Sequence, residues 1–363
     1  MAREEHRRPP QPSGSAAPGG SWNSPRAGGP ILSPAGAGGP SPVYFAAPSN
    51  PPGGGGLQPF YNRPSPVPAS PRRTDPRVPA PLPPKSRRRF WIFGRGRADG
   101  LTEDRERELR ALCRVHLPRV RRIAVLSRKG GIGKTTTALL LGHQLASLRG
   151  DHVVALDANP DAGSLGDRVP RETHGTITDI LRQAGSLRTY TDVRGLTSRS
   201  PSGLEVVASD NDPRITEALG WSDLQRVMNV LSRHYAIIIA DTGTGILDPA
   251  TQGVLAAADQ IVVCAAPSID SSRVTALTLD WLDQNGHRAL VENAVVAING
   301  VQDGIGDVDL LQHYFERRVR SVVRIPFDRH LALGGETDLE ELTPVTRAAY
   351  LTLAGMVAAG FSW

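Results

Sequence analysis

The chain has 363 residues, a formal net charge of +6 and two cysteines. Residues 1–84 hold 22 of the 31 prolines, and residues 1–100 carry 14 basic and 4 acidic side chains. Residues 101–363 carry 28 basic and 32 acidic side chains, so the high overall charge is poor evidence that this part binds DNA. The cysteines form no disulfide or metal-ligand pattern, which fits a cytoplasmic protein, and no window of about 18 apolar residues predicts a transmembrane helix.

Residues 1–100 have the composition of a disordered Pro/Gly-rich tail. Proline, glycine runs and few β-branched residues leave too little apolar surface to offset the entropy lost on ordering. The Pro-rich stretches favour the polyproline II conformation, which aromatic-lined grooves of other proteins recognise. The tail is therefore interpreted either as a binding segment for a protein partner or as an inert tether.

Residues 85–97 place an aromatic centre, Phe90-Trp91-Ile92-Phe93, between runs of basic residues. Such a segment can lie on an anionic membrane surface, here the inner face of the membrane, or stack on nucleic acid without sequence preference. The alternative is a solvated linker whose apolar centre packs back on the domain.

From residue 101 onward, short apolar runs alternate with helical stretches. Thr102 can open a lead-in helix within residues 101–120. Strands are predicted at residues 122–127, 153–157, 204–209, 236–241, 260–265, 295–299 and 321–325, and helices at 135–149, 222–234, 270–284 and 343–359. Unbroken apolar strands separated by helices indicate a mostly parallel sheet covered on both faces. Residues 121–363 are thus predicted to form one doubly wound α/β domain.

The first of these strands runs directly into a glycine-rich segment from which a helix begins. The segment reads Gly130-Gly131-Ile132-Gly133-Lys134-Thr135-Thr136. Strand, glycines, Gly-Lys-Thr and helix in this order are typical of a loop whose backbone N–H groups bind phosphates. Lys134 is then expected to contact the β- and γ-phosphates, and the Thr135 hydroxyl to bind Mg²⁺. No Asn-Lys-x-Asp guanine motif occurs, although its absence alone does not exclude GTP.

Lysine is rare in this chain: Lys85, Lys129 and Lys134 are the only lysines among 42 basic residues. A compact ammonium and a planar guanidinium are not interchangeable at a tight phosphate site. The two lysines in the loop, Lys129 and Lys134, therefore indicate a functional site. Arg128 stands where the common loop pattern has its first glycine, and Lys129 follows it. The form Lys-Gly-Gly-x-Gly-Lys-Thr resembles the deviant Walker A motif of the ParA/MinD family of ATPases. The resemblance implies an ATP-dependent homodimer in which Lys129 reaches the partner's nucleotide.

Further motifs within residues 120–360 resemble that family in the same order. The strand at 153–157 ends in Asp157, as in the family's second phosphate-side motif, and residues 237–245 resemble its Walker B and switch II. The resemblance implies that Asp241 holds the Mg²⁺ shell. Asn299 matches the position that contacts adenine, and Pro326 lies in an Ile-Pro-x-Asp sequence that matches the loop closing over the base.

The chain departs from the family at Asn159, where many members have the second carboxylate of an Asp-x-Asp motif that positions the attacking water. An amide can orient a water but cannot accept its proton. Because phosphoryl transfer depends mostly on positioning and charge stabilisation, hydrolysis is expected to be slow rather than absent. Asp161 is an alternative carboxylate for this role.

Residues 156–165 and 241–245, together with the Pro-rich extension, resemble the ParA/MinD-like proteins associated with type VII (ESX) secretion in actinobacteria. This implies an ATP-hydrolysing dimerisation switch whose tail recruits secretion-system components. Two alternatives stay open: a ParA-like partitioning factor that binds DNA non-specifically, and a nucleotide-binding scaffold with little hydrolysis. The final residues, Phe361-Ser362-Trp363, show no basic amphipathic extension of the kind that MinD uses on membranes.

Overall fold

A computed structural model describes residues 101–159, 165–304 and 306–361. The predicted tail over residues 1–100, its basic-aromatic segment 85–97 and Asp161 lie outside the described residues. Within the described ranges, eight strands form one sheet: β1 (Arg121–Leu126), β2 (Val153–Ala158), β3 (Ser198–Arg199), β4 (Glu205–Val207), β5 (Ile237–Thr242), β6 (Gln260–Ala265), β7 (Val295–Val301) and β8 (Ser321–Pro326).

The strand order is β3-β4-β2-β5-β1-β6-β7-β8. From β1 the chain first builds the side with β2, β3 and β4, returns to β5 beside β1, and then proceeds outward through β6, β7 and β8 on the other side. Six neighbouring pairs are parallel, and only the edge pair β3–β4 is antiparallel. The central strands are apolar and almost completely buried along their length, as expected of strands covered on both faces. The predicted doubly wound, mostly parallel sheet is confirmed.

Helices cover both faces of the sheet. They are α1 (Glu103–Cys113), α2 (Lys134–Leu148), α3 (Ile177–Gln183), α4 (Tyr190–Arg194), α5 (Pro213–Glu217), α6 (Trp221–Leu231), α7 (Pro249–Ala257), α8 (Ile269–Gln284), α9 (Arg288–Glu292), α10 (Val308–Glu316), α11 (Arg329–Leu333) and α12 (Pro344–Ala358). Side chains of β1 alternate between two apolar clusters. Ile123 and Val125 join the cluster of α1, α2 and α12, whereas Ala124 and Leu126 join that of α6, α7 and α8.

Most predicted elements lie within two residues of their observed bounds, but several assignments need correction. The helix predicted from Ser222 begins at Trp221, because the Asp223 carboxylate accepts a 3.0 Å hydrogen bond from the Gly220 N–H and thereby caps the helix start. The helix also ends earlier, at Leu231. The edge strand β3 and the helices α3, α4, α5, α7, α9, α10 and α11 were not predicted. All but α7 and α10 have seven residues or fewer, too short for a clear hydrophobic period.

The lead-in helix α1 packs into the domain. Leu109 and Cys113 are fully buried in the cluster formed with α2 and α12. Gly355 on α12 allows this close approach, since a Cβ there would lie 2.5 Å from the Leu109 side chain. The Arg149 guanidinium donates a 2.6 Å hydrogen bond to the Cys113 carbonyl and so joins the end of α1 to the end of α2. No helix within the described ranges combines the length and apolar character needed to cross a membrane.

Candidate phosphate-binding site

The glycine-rich loop lies at the edge where the carboxyl ends of the parallel strands meet. It connects β1 to α2, whose first residue is Lys134. Gly131 and Gly133 have φ of +73° and +81°, a conformation that other residues rarely adopt. A Cβ added at Gly130 or Gly131 would meet no atom within 4 Å, so the backbone of this turn faces open space. The space beside these two glycines is therefore open.

Lys129 and Lys134 occupy different environments in this loop. Lys129 is exposed, and its backbone is held by Ser127, whose hydroxyl donates to the Lys129 carbonyl (2.8 Å) and accepts from its N–H (3.1 Å). Lys134 is buried, and its Nζ lies 2.9 Å from Oδ1 of Asp241 at the end of β5. Thr135 and Thr136 follow in the first turn of α2 and are half-buried and buried, respectively.

Asp157 lies directly opposite Asp241 in the register of β2 and β5. Its carboxylate accepts hydrogen bonds from the N–H of Leu165 (3.0 Å) and, at 3.4 Å, from that of Asn159. Burial and, secondarily, the negative charge of Asp241 raise the pKa of Asp157 from 3.8 to about 7. Of these two buried acidic side chains, Asp241 forms the ion pair with Lys134. Asn159 is half-buried beside them.

The Thr135 hydroxyl and the Asp241 carboxylate fit Mg²⁺ as oxygen ligands. Asp241 has 1% of its side chain exposed and lies opposite a second buried acidic side chain, Asp157, and carboxyl oxygens are ligands that suit a hard divalent cation. No cluster of three or more His, Cys, Asp or Glu ligands occurs in the described ranges.

Asn299, near the end of β7, contacts the glycine-rich loop. Its Nδ2 donates to the Ile132 carbonyl (2.8 Å) and to Oγ1 of Thr137 (3.0 Å). The Thr137 hydroxyl in turn donates to the Gly133 carbonyl at 2.7 Å. Oδ1 of Asn299 is buried and has no hydrogen-bond partner among the described residues, so an acceptor is available there. Thr137 was missed in the sequence; its signal was the run of three threonines after Lys134.

Pro326 ends β8 opposite Val301. The next residue, Phe327, is half exposed, whereas Asp328 is 5% exposed and accepts hydrogen bonds from the N–H and hydroxyl of Thr343 at 3.1 and 3.0 Å. The Ile-Pro-x-Asp sequence is therefore anchored to the start of α12 by its carboxylate. The adenine contacts predicted for Asn299 and Pro326 stay predictions.

The raised pKa of Asp157 predicts a pH-dependent stability. Between pH about 4 and 7 the folded protein holds a proton that the unfolded chain has released, so the free energy of unfolding falls as pH rises through this window. Asp157→Asn removes this titration and should flatten the profile. Urea unfolding at several pH values, without nucleotide or Mg²⁺, measures the difference. Asp104→Asn, which removes an exposed carboxylate on α1, is the control. Parallel profiles for wild type and Asp157→Asn would contradict the assignment.

Comparisons with known proteins agree with this geometry. Residues 120–273 match the AAA_31 family, described as an AAA domain. The chain is 39% identical over 281 residues to the ESX-1 secretion-associated protein EspI of Mycobacterium tuberculosis, an alignment that covers 75% of this chain and 42% of EspI. The chain thus spans less than half the length of that relative.

Two solved structures share the fold. The ParA family ATPase from Chlorobium tepidum TLS has a TM-score of 0.55 at 19% identity, covering 65% of this chain and 98% of that one. The septum site-determining protein MinD from Pyrococcus horikoshii OT3, solved with Mg-ADP, has a TM-score of 0.53 at 20% identity, covering 65% and 94%. Through this domain, with its glycine loop on a doubly wound sheet, the chain belongs to the ParA/MinD-type family.

Proposed function

We propose that this protein is a Mg²⁺-dependent ATPase that acts as an ATP-controlled dimerisation switch. The observation that carries the proposal is the buried Lys134–Asp241 pair, 2.9 Å apart, beside an open turn of glycines at the N-terminus of α2. The MinD relative of the same fold was solved with Mg-ADP, which supports the choice of ligand.

Each member of the Lys134–Asp241 pair carries a charge opposite to that of one part of a Mg-nucleotide. The ammonium of Lys134 binds β- and γ-phosphate oxygens, and the carboxylate of Asp241, with the Thr135 hydroxyl, holds the cation. Mg²⁺ supplies charge stabilisation on the phosphates when bound. The N–H groups of Gly130–Gly133 and of the first turn of α2 would orient the phosphates.

Lys129 is the residue we assign to the dimer contact. It is exposed, and no ion pair in the described ranges involves it, whereas its backbone is fixed by both hydrogen bonds to Ser127. A cation on a fixed backbone beside the nucleotide site can contact phosphates bound by a second copy of the chain. ATP would then stabilise the dimer by supplying the negative charge that Lys129 binds.

Substitution of the two lysines should separate binding from dimerisation. Lys134→Ala should abolish nucleotide binding, because it removes the main phosphate contact. Lys129→Ala should keep binding but lose both dimerisation and hydrolysis. Calorimetry measures binding, and size exclusion with light scattering, with and without a non-hydrolysable ATP analogue, measures dimerisation. Arg128→Ala, which removes the neighbouring exposed charge, should behave as wild type. A Lys129→Ala protein that still dimerises on the analogue would refute the dimer contact.

The rate of hydrolysis is expected to depend on Asn159. Its backbone lies beside Asp157, at the start of the loop that follows β2. Asn159→Asp should raise kcat with little change in ATP affinity, because the attacking water is not part of the ground-state contact. A tenfold gain corresponds to about 1.4 kcal/mol of barrier. Single-turnover rates measure it. Equal rates for both proteins would assign the water to another group, and Asp161→Ala would be the next variant.

We further propose that the switch serves a type VII secretion system. The support is the 39% identity to EspI over three quarters of this chain. The balance of 28 basic and 32 acidic side chains in residues 101–363 gives less support to a DNA-partitioning role for the domain. In this proposal the Pro-rich tail recruits a partner, and residues 85–97 bring the protein to the inner face of the membrane.

The secretion role predicts a cellular phenotype. In a strain that depends on this chain, Lys134→Ala should lower the export of type VII substrates while the protein level stays unchanged, because an unliganded switch cannot close. Immunoblots of culture filtrate and cell lysate measure both quantities. Normal export, combined with salt-dependent DNA binding that requires ATP in vitro, would favour the partitioning alternative instead.

A further inference from the structure

Arg168 lies against the first turn of the phosphate-loop helix. It ends a short 3-10 helix, Gly166–Arg168, on the chain that returns from the loop after β2. Its Nη1 donates a 3.3 Å hydrogen bond to Oγ1 of Thr136, two residues into α2 from Lys134. A residue distant in sequence from the glycine loop therefore brings a second cationic side chain to the helix start.

Backbone contacts on both sides fix the position of Arg168. The Leu165 N–H donates to Oδ2 of Asp157 at 3.0 Å, and the Arg168 carbonyl accepts from the Thr337 N–H at 3.3 Å. Gly166 packs closely on the end of β4, since a Cβ there would lie 2.6 Å from that of Ala208. The guanidinium is therefore presented by an anchored segment.

The positive charge of Arg168 lies in an unfavourable electrostatic environment. The N-terminus of a helix carries partial positive charge, and Lys134 is already present there. In the described ranges Arg168 has no carboxylate partner, whereas the nearby Arg171 pairs with Asp167 at 3.9 Å and Arg182 with Asp179 at 3.3 Å. Such a placement becomes favourable when an anion binds at the same helix terminus.

We propose that Arg168 is a further nucleotide-binding residue whose guanidinium contacts the phosphates that ATP and ADP share. This inference rests on the proposed nucleotide-binding function. Lys134 is assigned to the β- and γ-phosphates. Arg168 reaches the same helix start through Thr136, two residues after Lys134, and is assigned to the phosphates that the loop backbone would bind, the α- and β-phosphates. The planar guanidinium can bind a phosphate through two parallel N–H groups. The contact also joins the Asp157 loop to the ligand.

The test compares Arg168→Gln with Arg168→Lys and with the matched control Arg171→Gln. We expect Arg168→Gln to weaken ATP and ADP binding equally, about tenfold, as expected for the loss of one charge-assisted contact. The nucleotide affinity of Arg168→Lys should lie between those of Arg168→Gln and wild type, because lysine keeps the positive charge but lacks the two parallel N–H groups of the guanidinium. Arg171→Gln should bind as wild type. Calorimetry measures the affinities, and thermal melting without nucleotide should give the same Tm for wild type and all three variants.

Other outcomes would overturn the inference. Wild-type affinity of Arg168→Gln for both nucleotides excludes a phosphate contact, and a loss confined to ATP places the contact on the γ-phosphate instead. A lowered Tm with equally weak binding by Arg168→Gln and Arg168→Lys assigns Arg168 a structural role. If Arg168→Gln does not fold, Arg168→Lys serves as the test. An affinity of Arg168→Lys equal to that of wild type would contradict the proposed contact through two parallel N–H groups. Failure of the nucleotide-binding function itself would appear separately, as no binding of ATP or ADP by the wild-type protein.

Discussion

The structure of the site depends on one buried ion pair, between Lys134 and Asp241. Burying two charges costs more than their attraction returns unless further partners satisfy them, so such a pair is weak evidence for a purely stabilising role. Its position is more informative. One member begins α2, the other ends β5, and a second buried carboxylate, Asp157, lies opposite on β2. These groups are buried at the carboxyl edge of the sheet. A ligand that carries both anionic and cationic groups could bind there, with its anion contacting Lys134 and its cation contacting the carboxylates.

The winding of the sheet brings these groups together. β1 lies between β5 and β6, and β2 lies on the other side of β5, so the loops that follow these strands all emerge at one edge. The register is strict, with Asp157 opposite Asp241 and Val125 opposite the same residue on β1. The Thr242 hydroxyl donates to the Val125 carbonyl at 3.0 Å and fixes the end of β5 to β1. The positions of Asp157 and Asp241 are therefore fixed by the sheet.

The sequence was sufficient for the features that depend on local order. The glycine loop, the lysines and the central apolar strands are contiguous patterns, and the sheet class follows from their alternation. The sequence alone could not predict contacts between segments that are distant along the chain. Asn299 and Ile132 are 167 residues apart, and Arg168 and Thr136 are 32 apart. Arg168 was also hidden by composition, since 39 of the 42 basic residues are arginine and no single one stands out.

The contact of Asn299 with the loop has a consequence for how the two ends of a nucleotide are recognised. Its amide N–H groups bind the Ile132 carbonyl and Thr137, which in turn binds the Gly133 carbonyl. If Asn299 contacts the base of a nucleotide as proposed, the base would have to compete with, or reshape, the turn proposed to bind the phosphates. Base recognition and phosphate recognition are then thermodynamically linked, and the free energy by which one changes the other is equal in both directions. In the proposed site, triphosphate would change the affinity for adenosine by the same factor as adenosine changes the affinity for triphosphate.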